Sequence, residues 1–290
     1  MTAYEAFFRK KGVDVLFLTP SQWQSGIHRP DVEWVIMGHD RTPLGSAIRI
    51  HEYPSSSTPP FASWKNLAKR YISVTPHFRI FLNKPVHDRM RFRDTIPFGY
   101  RDIGIYPPVP TTGETEKKID FIYIGSSEKN RQLNRLLDAF TVSPMSAYTL
   151  LILSQHYEPL KYDYKTFPNI SFEGPVSYGM VSQYLQQARY GINYMPDKAP
   201  FNEQTSTKLL EYIRAGLPVI TTRYRWMEDF ARKYGGSYFY MDERHPRFSL
   251  EELESFPFSA PDLSDWYWEK KINESGVIEF LQQHFPDLRT

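Results

Sequence analysis

The sequence predicts an α/β protein made of two doubly wound domains with parallel sheets. Three observations support this class. Apolar strand-like runs alternate with segments of helical spacing between residues 119 and 221, and a weaker alternation precedes residue 106. Between these regions, Tyr106–Glu116 is rich in Pro, Thr, Gly and Glu, which is typical of an exposed linker. A chain of 290 residues is long enough for two domains, each with its own core.

The alternation in the second half defines the predicted elements there. Its strands are Ile119–Ile124, Tyr148–Ser154, Ile170–Phe172, Gly191–Met195 and Pro218–Thr221, and its helices are Asn130–Phe140, Tyr178–Ala188 and Thr205–Ala215. Strands and helices that alternate in this way favour a parallel sheet, and ligands of such sheets bind at the carboxyl ends of the strands.

The first half and the C-terminus are predicted by the same reasoning. The strand candidates of the first half are Val13–Leu18, Val32–Met37, Ala47–Ile50 and Arg79–Leu82. Ser264–Lys271 and Val277–His284 are expected to be closing helices, one of which could return to the first domain. We therefore place the first domain at residues 1–112, the second at 113–275 and a closing helix at 276–290.

Composition restricts the possible classes of function. The chain is 41 % hydrophobic and 23 % charged, and no apolar run approaches the roughly 18 residues of a membrane span. It contains no cysteine, which excludes disulfides, thiolate metal sites and cysteine nucleophiles. Arg9, Lys10 and Lys11 follow the apolar cluster of the N-terminus, the reverse of the order in a secretory signal peptide. We expect a cytoplasmic protein.

Charge is distributed unevenly along the chain. Residues 1–112 hold 15 Lys and Arg against 9 Asp and Glu, whereas residues 113–290 hold 20 against 24. The first half is therefore a candidate docking surface for an anionic acceptor or an anionic membrane, with a solvated basic face as the equal alternative. Because no nucleic-acid-binding motif accompanies these charges, nucleic acid is not an expected partner.

The segment Phe201–Ile220 carries the most chemical information. Glu203 and Glu211 are separated by seven residues, which places Glu211 inside a helix that begins near Thr205 and Glu203 in the loop before it. A helix N-terminus with free amides and hydroxyls favours a phosphate, and Lys208 adds a positive charge. The hydroxyls belong to Thr205, Ser206 and Thr207. The structural alternative is an ordinary capped helix with surface glutamates.

Three further motifs occur in a fixed order around this segment. Gly125 follows a strand and precedes the helix that ends with Leu136–Phe140. The run Phe172–Val176 reads Phe-Glu-Gly-Pro-Val, and Ala215–Ile220 reads Ala-Gly-Leu-Pro-Val-Ile. With the Glu-x7-Glu element, these motifs make the region from Asp120 to about Glu228 resemble the donor-binding domain of GT-B glycosyltransferases of the group-1 type.

The resemblance implies a fold and a donor site. It implies an α/β chain of the GT-B class, with two Rossmann-like domains, a donor site in the cleft and a shortened N-terminal domain. Glu211 would bind the ribose hydroxyls of the donor and Glu203 would face its sugar. The backbone of Gly174, Pro175 and Val176 would contact the base. Gly125 would belong to the donor site, as would Ser126, although the family usually has Arg at that position.

The diphosphate and the reaction are assigned on the same resemblance. Arg131 stands where the family usually has Lys and is the first candidate for the diphosphate, with Lys129 in reserve. Lys208 is expected to stabilise the charge that develops on the departing diphosphate. Residues 205–210 are also similar to a run in the membrane-associated glucuronosyltransferase of xanthan assembly, an inverting enzyme, whereas most of the group-1 family retain configuration.

An inverting reaction needs a base from the first domain. His51 is the leading candidate and, with Glu52, is expected directly after the strand Ala47–Ile50. Asp40 and His39 follow the preceding strand and are further candidates. The alternative for His51 is a structural imidazole with its hydrogen bonds satisfied.

The expected function is transfer of a sugar from a nucleoside diphosphate such as UDP or GDP to a carbohydrate or lipid-linked acceptor. The product would belong to a surface polysaccharide or glycoconjugate, and the enzyme could be peripheral at the membrane. No cofactor and no metal are expected, because the nearest possible ligands, Asp242 and Glu243 beside His245, are typical of a solvated loop. A catalytically silent donor-binding subunit is the alternative, and a DNA glucosyltransferase is a third hypothesis without a supporting motif.

Overall fold

The computed structural model describes residues 3–36, 39–57, 61–108 and 115–289. The chain forms two compact units, the first made of residues 1–106 and 265–290 and the second of residues 107–264. The predicted boundary at residues 112 and 113 lies outside the described residues. Residues 265–275, which the sequence analysis assigns to the second domain, cluster with the first unit.

The described residues form ten strands, all of which pair in parallel. They are β1 (Val32–Ile36), β2 (Ile48–Tyr53), β3 (Phe78–Phe81), β4 (Phe98–Tyr100), β5 (Ile119–Ile124), β6 (Leu150–Leu153), β7 (Ile170–Glu173), β8 (Ala188–Asn193), β9 (Val219–Thr222) and β10 (Phe239–Met241).

Twelve α-helices lie in the described residues, and none of these is long and apolar enough to span a bilayer. They are α1 (Ala3–Lys10), α2 (Pro20–Gln24), α3 (Ala62–Ile72), α4 (Lys84–Met90), α5 (Asn134–Ala139), α6 (Glu158–Asp163), α7 (Tyr178–Gln187), α8 (Thr207–Arg214), α9 (Arg225–Tyr234), α10 (Leu250–Ser255), α11 (Trp268–Asn273) and α12 (Val277–Gln282).

The sheet of the first unit has four strands in the order β1-β2-β3-β4. Three of the predicted strands are confirmed with shifted ends, and β2 extends to Tyr53 because it pairs with β3 as far as Phe81. Ile50, Phe78 and Ile80 are buried against helices that include α12, so both ends of the chain's sequence contribute to this core.

One expectation for the first unit was wrong, and one of its strands was not predicted. Val13–Leu18 forms no strand; Val13 and Val15 pack against the core, whereas Leu16 and Phe17 are exposed. An apolar run becomes a strand only where a neighbouring strand can satisfy its backbone, and none pairs with this run among the described residues. Conversely, β4 has only three residues, too few for a periodic signal.

The sheet of the second unit has six strands in the order β10-β9-β8-β5-β6-β7. If β5 to β10 are numbered 1 to 6 and the sheet is read from β7, the strand order is 3-2-1-4-5-6. This is the order of dinucleotide-binding folds. The direction of winding reverses between β5 and β8, and a crevice for ligands forms at such a reversal. All five predicted strands of this half are confirmed, and β10 is an additional edge strand.

The predicted helix Asn130–Phe140 is divided in the structure. A short 3₁₀ turn covers Lys129–Arg131, and α5 begins at Asn134 because Gln132 between them has a left-handed backbone with φ 52°. The apolar side chains that predict the helix are nevertheless buried in the core of the second unit: Leu133, Leu136, Leu137 and Phe140. Arg131 therefore lies outside α5, and its side chain contacts Met195, two residues beyond the end of β8.

Candidate functional site

The candidate site lies at the reversal of the second sheet, where β5 and β8 end. Gly125 follows β5 with φ 138°, a conformation that favours glycine. A Cβ at Gly125 would lie 3.6 Å from Cε and 3.7 Å from Nζ of Lys208. The end of β5 and the first turn of α8 are therefore close together, which brings Gly125 and Lys208 into one neighbourhood.

Helix α8 begins at Thr207, two residues later than expected. Ser206 is its N-cap; the hydroxyl accepts a 3.4 Å hydrogen bond from the amide of Leu209 and donates a 2.8 Å bond to Asn193 Oδ1. Thr205 and Ser206 are buried, whereas Thr207 is exposed. The Ser206 hydroxyl thus performs the capping role of the structural alternative, and Thr207 presents its hydroxyl at the helix start.

Lys208 is a buried cation. The residue is 8 % exposed. Its Nζ donates a 2.8 Å hydrogen bond to the carbonyl of Tyr194 and lies 4.2 Å from the centre of the Tyr123 ring. Burial, reinforced by the nearby charge of Arg131, holds the pKa of Lys208 well below its ordinary value. Lys208 does not point to solvent from the helix surface.

Arg131 is the second cation of this region. Its guanidinium lies 4.2 Å from the centre of the Phe201 ring, and Nη1 contacts the sulfur of Met195, just beyond β8. Its Nε is buried without a hydrogen-bond partner. In the described parts of the chain, neither Arg131 nor Lys208 forms an ion pair with a carboxylate.

Residues 126–129 form the loop between β5 and Arg131. The carbonyl of Ser126 accepts a 2.9 Å hydrogen bond from the hydroxyl of Tyr123, which fixes the start of the loop. Lys129 is exposed in the 3₁₀ turn. Because Arg131 is partly buried beside Met195 and Lys129 faces solvent, Arg131 is the better placed of the two candidates to meet an anion held next to Lys208.

Glu211 lies on α8, one turn beyond Lys208. Its carboxylate is buried and accepts a 2.6 Å hydrogen bond from the hydroxyl of Tyr178 and a 3.1 Å bond from Nη1 of Arg214. An ionised carboxylate has about four lone-pair positions, so each oxygen keeps one for a further donor. Tyr178 and Arg214 therefore orient Glu211 without using up its capacity to bind a diol.

The loop Gly174–Val176 follows β7 at the carboxyl edge of the same sheet. A Cβ at Gly174 would lie 2.4 Å from the carbonyl oxygen of Ser154, and Gly174 has φ 131°, so only glycine fits. Tyr178 begins α7 just after Pro175 and Val176, and its bond to Glu211 connects the loop to α8.

Glu203 ends the 3₁₀ turn Phe201–Glu203 before α8. One of its carboxylate oxygens lies 3.5 Å from Nη1 of Arg225 at the start of α9, and the side chain is largely buried. Since Phe201 of the same turn lies under Arg131, Glu203 and Arg131 are brought into the same neighbourhood.

His51 lies within β2 and not after it, because the strand continues to Tyr53. The ring is fully buried, and Nε2 is 3.0 Å from Oδ2 of Asp40, while Nδ1 has no partner. Burial lowers the pKa of His51 to about 4, which keeps the imidazole neutral at physiological pH. Glu52 is paired with Arg101 on the opposite face of the strand.

Sequence reasoning missed the two side chains that hold Glu211. Arg214 stands three residues after Glu211, a spacing that brings side chains together on a helix and could have identified it. Tyr178 gives no such signal, because its contact with Glu211 depends on the packing of α7 against α8.

The acidic residues nearest to a metal-site pattern have other roles. Oδ1 of Asp242 accepts hydrogen bonds from the amides of Arg244 and His245 at 2.7 and 2.8 Å, and Glu243 pairs with Arg135. Within the described residues, no group of three or more His, Cys, Asp or Glu side chains is arranged to hold a metal ion.

Comparison with known proteins gives matches to solved structures. No family model and no curated protein sequence matches the chain. A glycosyltransferase involved in avilamycin A biosynthesis has a TM-score of 0.52 at 14 % identity, covering 93 % of this chain and 77 % of that chain. Sucrose-phosphate synthase from Thermosynechococcus elongatus has a TM-score of 0.55 at 12 % identity, covering 83 % and 69 %.

A third similar structure is an α,α-trehalose-phosphate synthase (UDP-forming) from Burkholderia xenovorans in complex with glucose-6-phosphate. Its TM-score is 0.53 at 10 % identity, covering 99 % of this chain and 82 % of that chain. At such low identities the likeness shows the fold. The chain has the mixed α/β GT-B fold with two parallel sheets, as the sequence predicts.

Proposed function

We propose that this protein is a glycosyltransferase that moves a sugar from a nucleoside diphosphate to a hydroxyl of a carbohydrate or lipid-linked acceptor. The observation that carries the proposal is the pair Lys208 and Arg131 at the reversal of the second sheet. Both are cations, both are at least partly buried, and neither is paired with a carboxylate in the described residues. A diphosphate is the ligand that such a pair would take.

A buried positive charge without a counterion is costly to the free protein. Taking an ammonium group out of water costs several kcal/mol unless an opposite charge compensates it. The lowered pKa of Lys208 expresses this cost in the free protein. A diphosphate between Lys208 and Arg131 would supply the missing negative charge, and the hydroxyl of Thr207, which is exposed at the start of α8, would add a donor.

The rest of the donor is assigned to residues around this pair. Glu211, oriented by Tyr178 and Arg214, is the proposed partner of the ribose hydroxyls. The loop Gly174–Val176 is the proposed contact for the base, and Glu203 for the sugar. These groups share the carboxyl edge of one sheet, where α/β proteins bind nucleotides.

In the proposed reaction the acceptor oxygen attacks the anomeric carbon, and the bond from that carbon to the diphosphate oxygen breaks. The bonding electrons stay on the diphosphate, so its negative charge grows in the transition state. Lys208 and Arg131 would stabilise this growing charge, which lowers the barrier more than it strengthens donor binding.

The fate of the acceptor proton depends on the stereochemistry. In a retaining reaction an oxygen of the departing diphosphate takes the proton on the same face. In an inverting reaction the neutral imidazole of His51 is the proposed base. Its Nε2 is hydrogen-bonded to Asp40 and the ring is buried, so the acceptor proton would have to reach Nδ1. The anomeric configuration of the product, measured by NMR, distinguishes the two reactions.

We further propose a peripheral association with anionic membranes, on which a lipid-linked acceptor of a surface polysaccharide or glycoconjugate would be met. The support is the excess of basic residues in the first half of the chain and the exposed aromatic side chains of α3. Association that survives high salt unchanged would contradict an electrostatic origin.

Nucleotide binding is the first experiment for the proposed function. UDP or GDP should raise the melting temperature of the wild type without added divalent metal, in a buffer that contains EDTA to remove traces of metal. At 100 times the dissociation constant, a ligand stabilises the folded state by about 2.7 kcal/mol. Glu211→Ala should abolish the rise, because it removes the partner of the ribose hydroxyls, whereas Glu251→Ala on the exposed face of α10 should retain it.

A transfer assay then separates the enzyme from its alternative. Sugar transfer or donor hydrolysis by the isolated chain would establish the transferase. Nucleotide binding without either activity would instead favour a catalytically silent donor-binding subunit. An unchanged melting temperature with every nucleotide tested would contradict the proposed donor site itself.

A further inference from the structure

The first unit contains an open cavity that the donor chemistry does not use. Its volume is about 370 Å³, at the lower end of the range for small-molecule sites. It lies between the loop after β2 and one side of α3. Its lining consists of hydroxyl, amine, imidazole and methyl groups, from Ser55, Ser56, Ser57, His39, Lys65, Lys69 and Ala68.

The serine wall of the cavity is fixed to the helix. The amide of Ser57 donates a 3.4 Å hydrogen bond to Oδ1 of Asn66, and Asn66 is buried. Ser56 is 4 % exposed and lines the cavity. A serine hydroxyl can donate one hydrogen bond to a ligand.

The opposite wall carries two positive charges. Lys65 and Lys69 are four residues apart on α3, a spacing at which like charges repel each other. Burial, together with the charge of Lys65, lowers the pKa of Lys69. Lys69 forms no ion pair in the described ranges. An anion between these side chains would remove the repulsion.

We propose that this cavity binds a phosphate group. Ammonium groups and serine hydroxyls donate hydrogen bonds and suit the several oxygens of a phosphate, and lysine commonly binds phosphate as a point charge. Lys65 and Lys69 supply the charge, and Ser55, Ser56 and Ser57 supply the hydroxyl donors. Under the proposed function, on which this assignment rests, the phosphate belongs to the acceptor and marks it as a phosphorylated or phospholipid-linked compound.

The surface beside the cavity bears on the source of the phosphate. Four large apolar side chains are exposed at the start and along one side of α3: Phe61, Trp64, Leu67 and Tyr71. Trp64 is 71 % exposed and precedes Lys65 directly. Aromatic side chains next to lysines suit a membrane surface, where the rings enter the interface and the ammonium groups meet the headgroups. A lipid phosphate and a soluble sugar phosphate share the same chemistry in the cavity.

The binding test uses inorganic phosphate at constant ionic strength. Lys65→Gln/Lys69→Gln should weaken phosphate binding at least about tenfold, the equivalent of about 1.4 kcal/mol. The matched control is Lys10→Gln/Lys84→Gln, which removes the same two charges from exposed positions in the same unit; its affinity should change less than about twofold. Repeating the titration in Lys208→Ala removes any phosphate bound by the second unit.

Ala68→Glu provides a second variant that leaves both lysines in place. It puts a carboxylate on the cavity wall and should abolish phosphate binding by repulsion while the melting temperature changes little. If the double lysine variant fails to fold, Ala68→Glu still tests whether the cavity binds phosphate. Equal phosphate affinity of Ala68→Glu, the control and the wild type would overturn the proposal.

Vesicles and a soluble ester distinguish the sources. If the phosphate is a lipid headgroup, binding to phosphatidylcholine vesicles with added phosphatidic acid should require Lys65 and Lys69 and also fall in Trp64→Ala/Tyr71→Ala. If the phosphate belongs to a soluble compound, glycerol 3-phosphate should compete with inorganic phosphate for the cavity. Binding of the protein to the vesicles should then not depend on Lys65 and Lys69. Phosphate binding supports the cavity assignment in both cases.

The proposals for the cavity and for the donor site can be tested independently of each other. The melting-temperature rise with UDP or GDP should persist in Lys65→Gln/Lys69→Gln, since those residues belong to the first unit. Loss of phosphate binding with an intact nucleotide response would confirm that the lysine pair acts in the cavity. Phosphate binding without any rise in melting temperature with nucleotide would support the phosphate site in the cavity and contradict the proposed transferase.

Discussion

The buried charges of the two units are compensated in different ways. In the first unit Arg49 is paired with Glu33 and Asp40, and Arg101 is paired with Glu52. At the sheet reversal of the second unit, Lys208 and Arg131 have no carboxylate partner in the described residues, and Lys208 instead contacts a carbonyl and a ring.

We interpret this difference as one between charges that hold the fold and charges that await a ligand. A buried ion is tolerable when a counterion of the same chain accompanies it, and removing one partner leaves an expensive unpaired charge. The ion pairs of the first unit meet this condition within the chain. Lys208 and Arg131 do not meet it among the described residues, and we propose that their counterion is a group on the substrate.

The largest effect is expected from Asp40→Ala. The substitution leaves Arg49, which is 1 % exposed, with one fewer carboxylate and frees Nε2 of His51. The free energy of unfolding should fall by about 3–5 kcal/mol. Urea unfolding measures it, with Asp88→Ala, which breaks an exposed pair with Lys84, as the control expected to cost less than about 1 kcal/mol. Similar losses in both variants would mean that the buried cluster has no special role.

The next effect concerns turnover in Lys208→Ala. Turnover should fall about 100- to 1000-fold, because a donor to the developing charge is lost, while the affinity for the intact donor changes much less. Steady-state kinetics and a separate measurement of the donor dissociation constant test this expectation. Lys165→Ala, in the same unit, serves as the control. A variant of Lys208 with wild-type turnover would remove it from the catalytic groups.

The pH dependence of stability should reflect His51. Its pKa is about 4 in the folded protein against 6.5 in the unfolded chain, so the unfolded state binds the proton first as the pH falls. Stability is therefore lost between pH 6.5 and about 4, by up to about 3 kcal/mol. His51→Gln should flatten the unfolding free energy across this window. An equally steep profile in the variant would assign the pH dependence to other groups.

A smaller effect is proton uptake on diphosphate binding. The diphosphate favours charged Lys208, so the pKa of Lys208 should rise from its lowered value in the free protein. Between the two values, binding takes up as much as about one proton and weakens as the pH rises. Calorimetry in buffers of different ionisation enthalpy measures the uptake, which Lys208→Met should eliminate.

The elements that position the proposed donor site could be predicted, because local signals specify them. Glycine after β5, the apolar periodicity of α7 and α8 and the strand runs of the second half all agree with the observed sheet. The extended β2 could not be predicted, because its last residues depend on pairing with β3.

The environment of the site residues could be predicted much less. The buried side chain of Lys208 contacts Tyr123 of β5 and the carbonyl of Tyr194, which directly follows β8. The bond between Tyr178 and Glu211 likewise joins two helices that are distant in sequence. Such contacts follow from tertiary packing, and residue spacing along the chain carries no record of them.

The thermal unfolding of Lys208→Met, with and without UDP or GDP, tests the central claim most directly. If Lys208 is a cation kept for a ligand, replacing it with an apolar side chain of similar length removes a desolvated charge that no carboxylate compensates. The variant should then melt at the same or a higher temperature than the wild type without nucleotide and lose the nucleotide-induced rise. A variant that melts well below the wild type and still responds fully to nucleotide would show that Lys208 holds the fold, and would contradict the account.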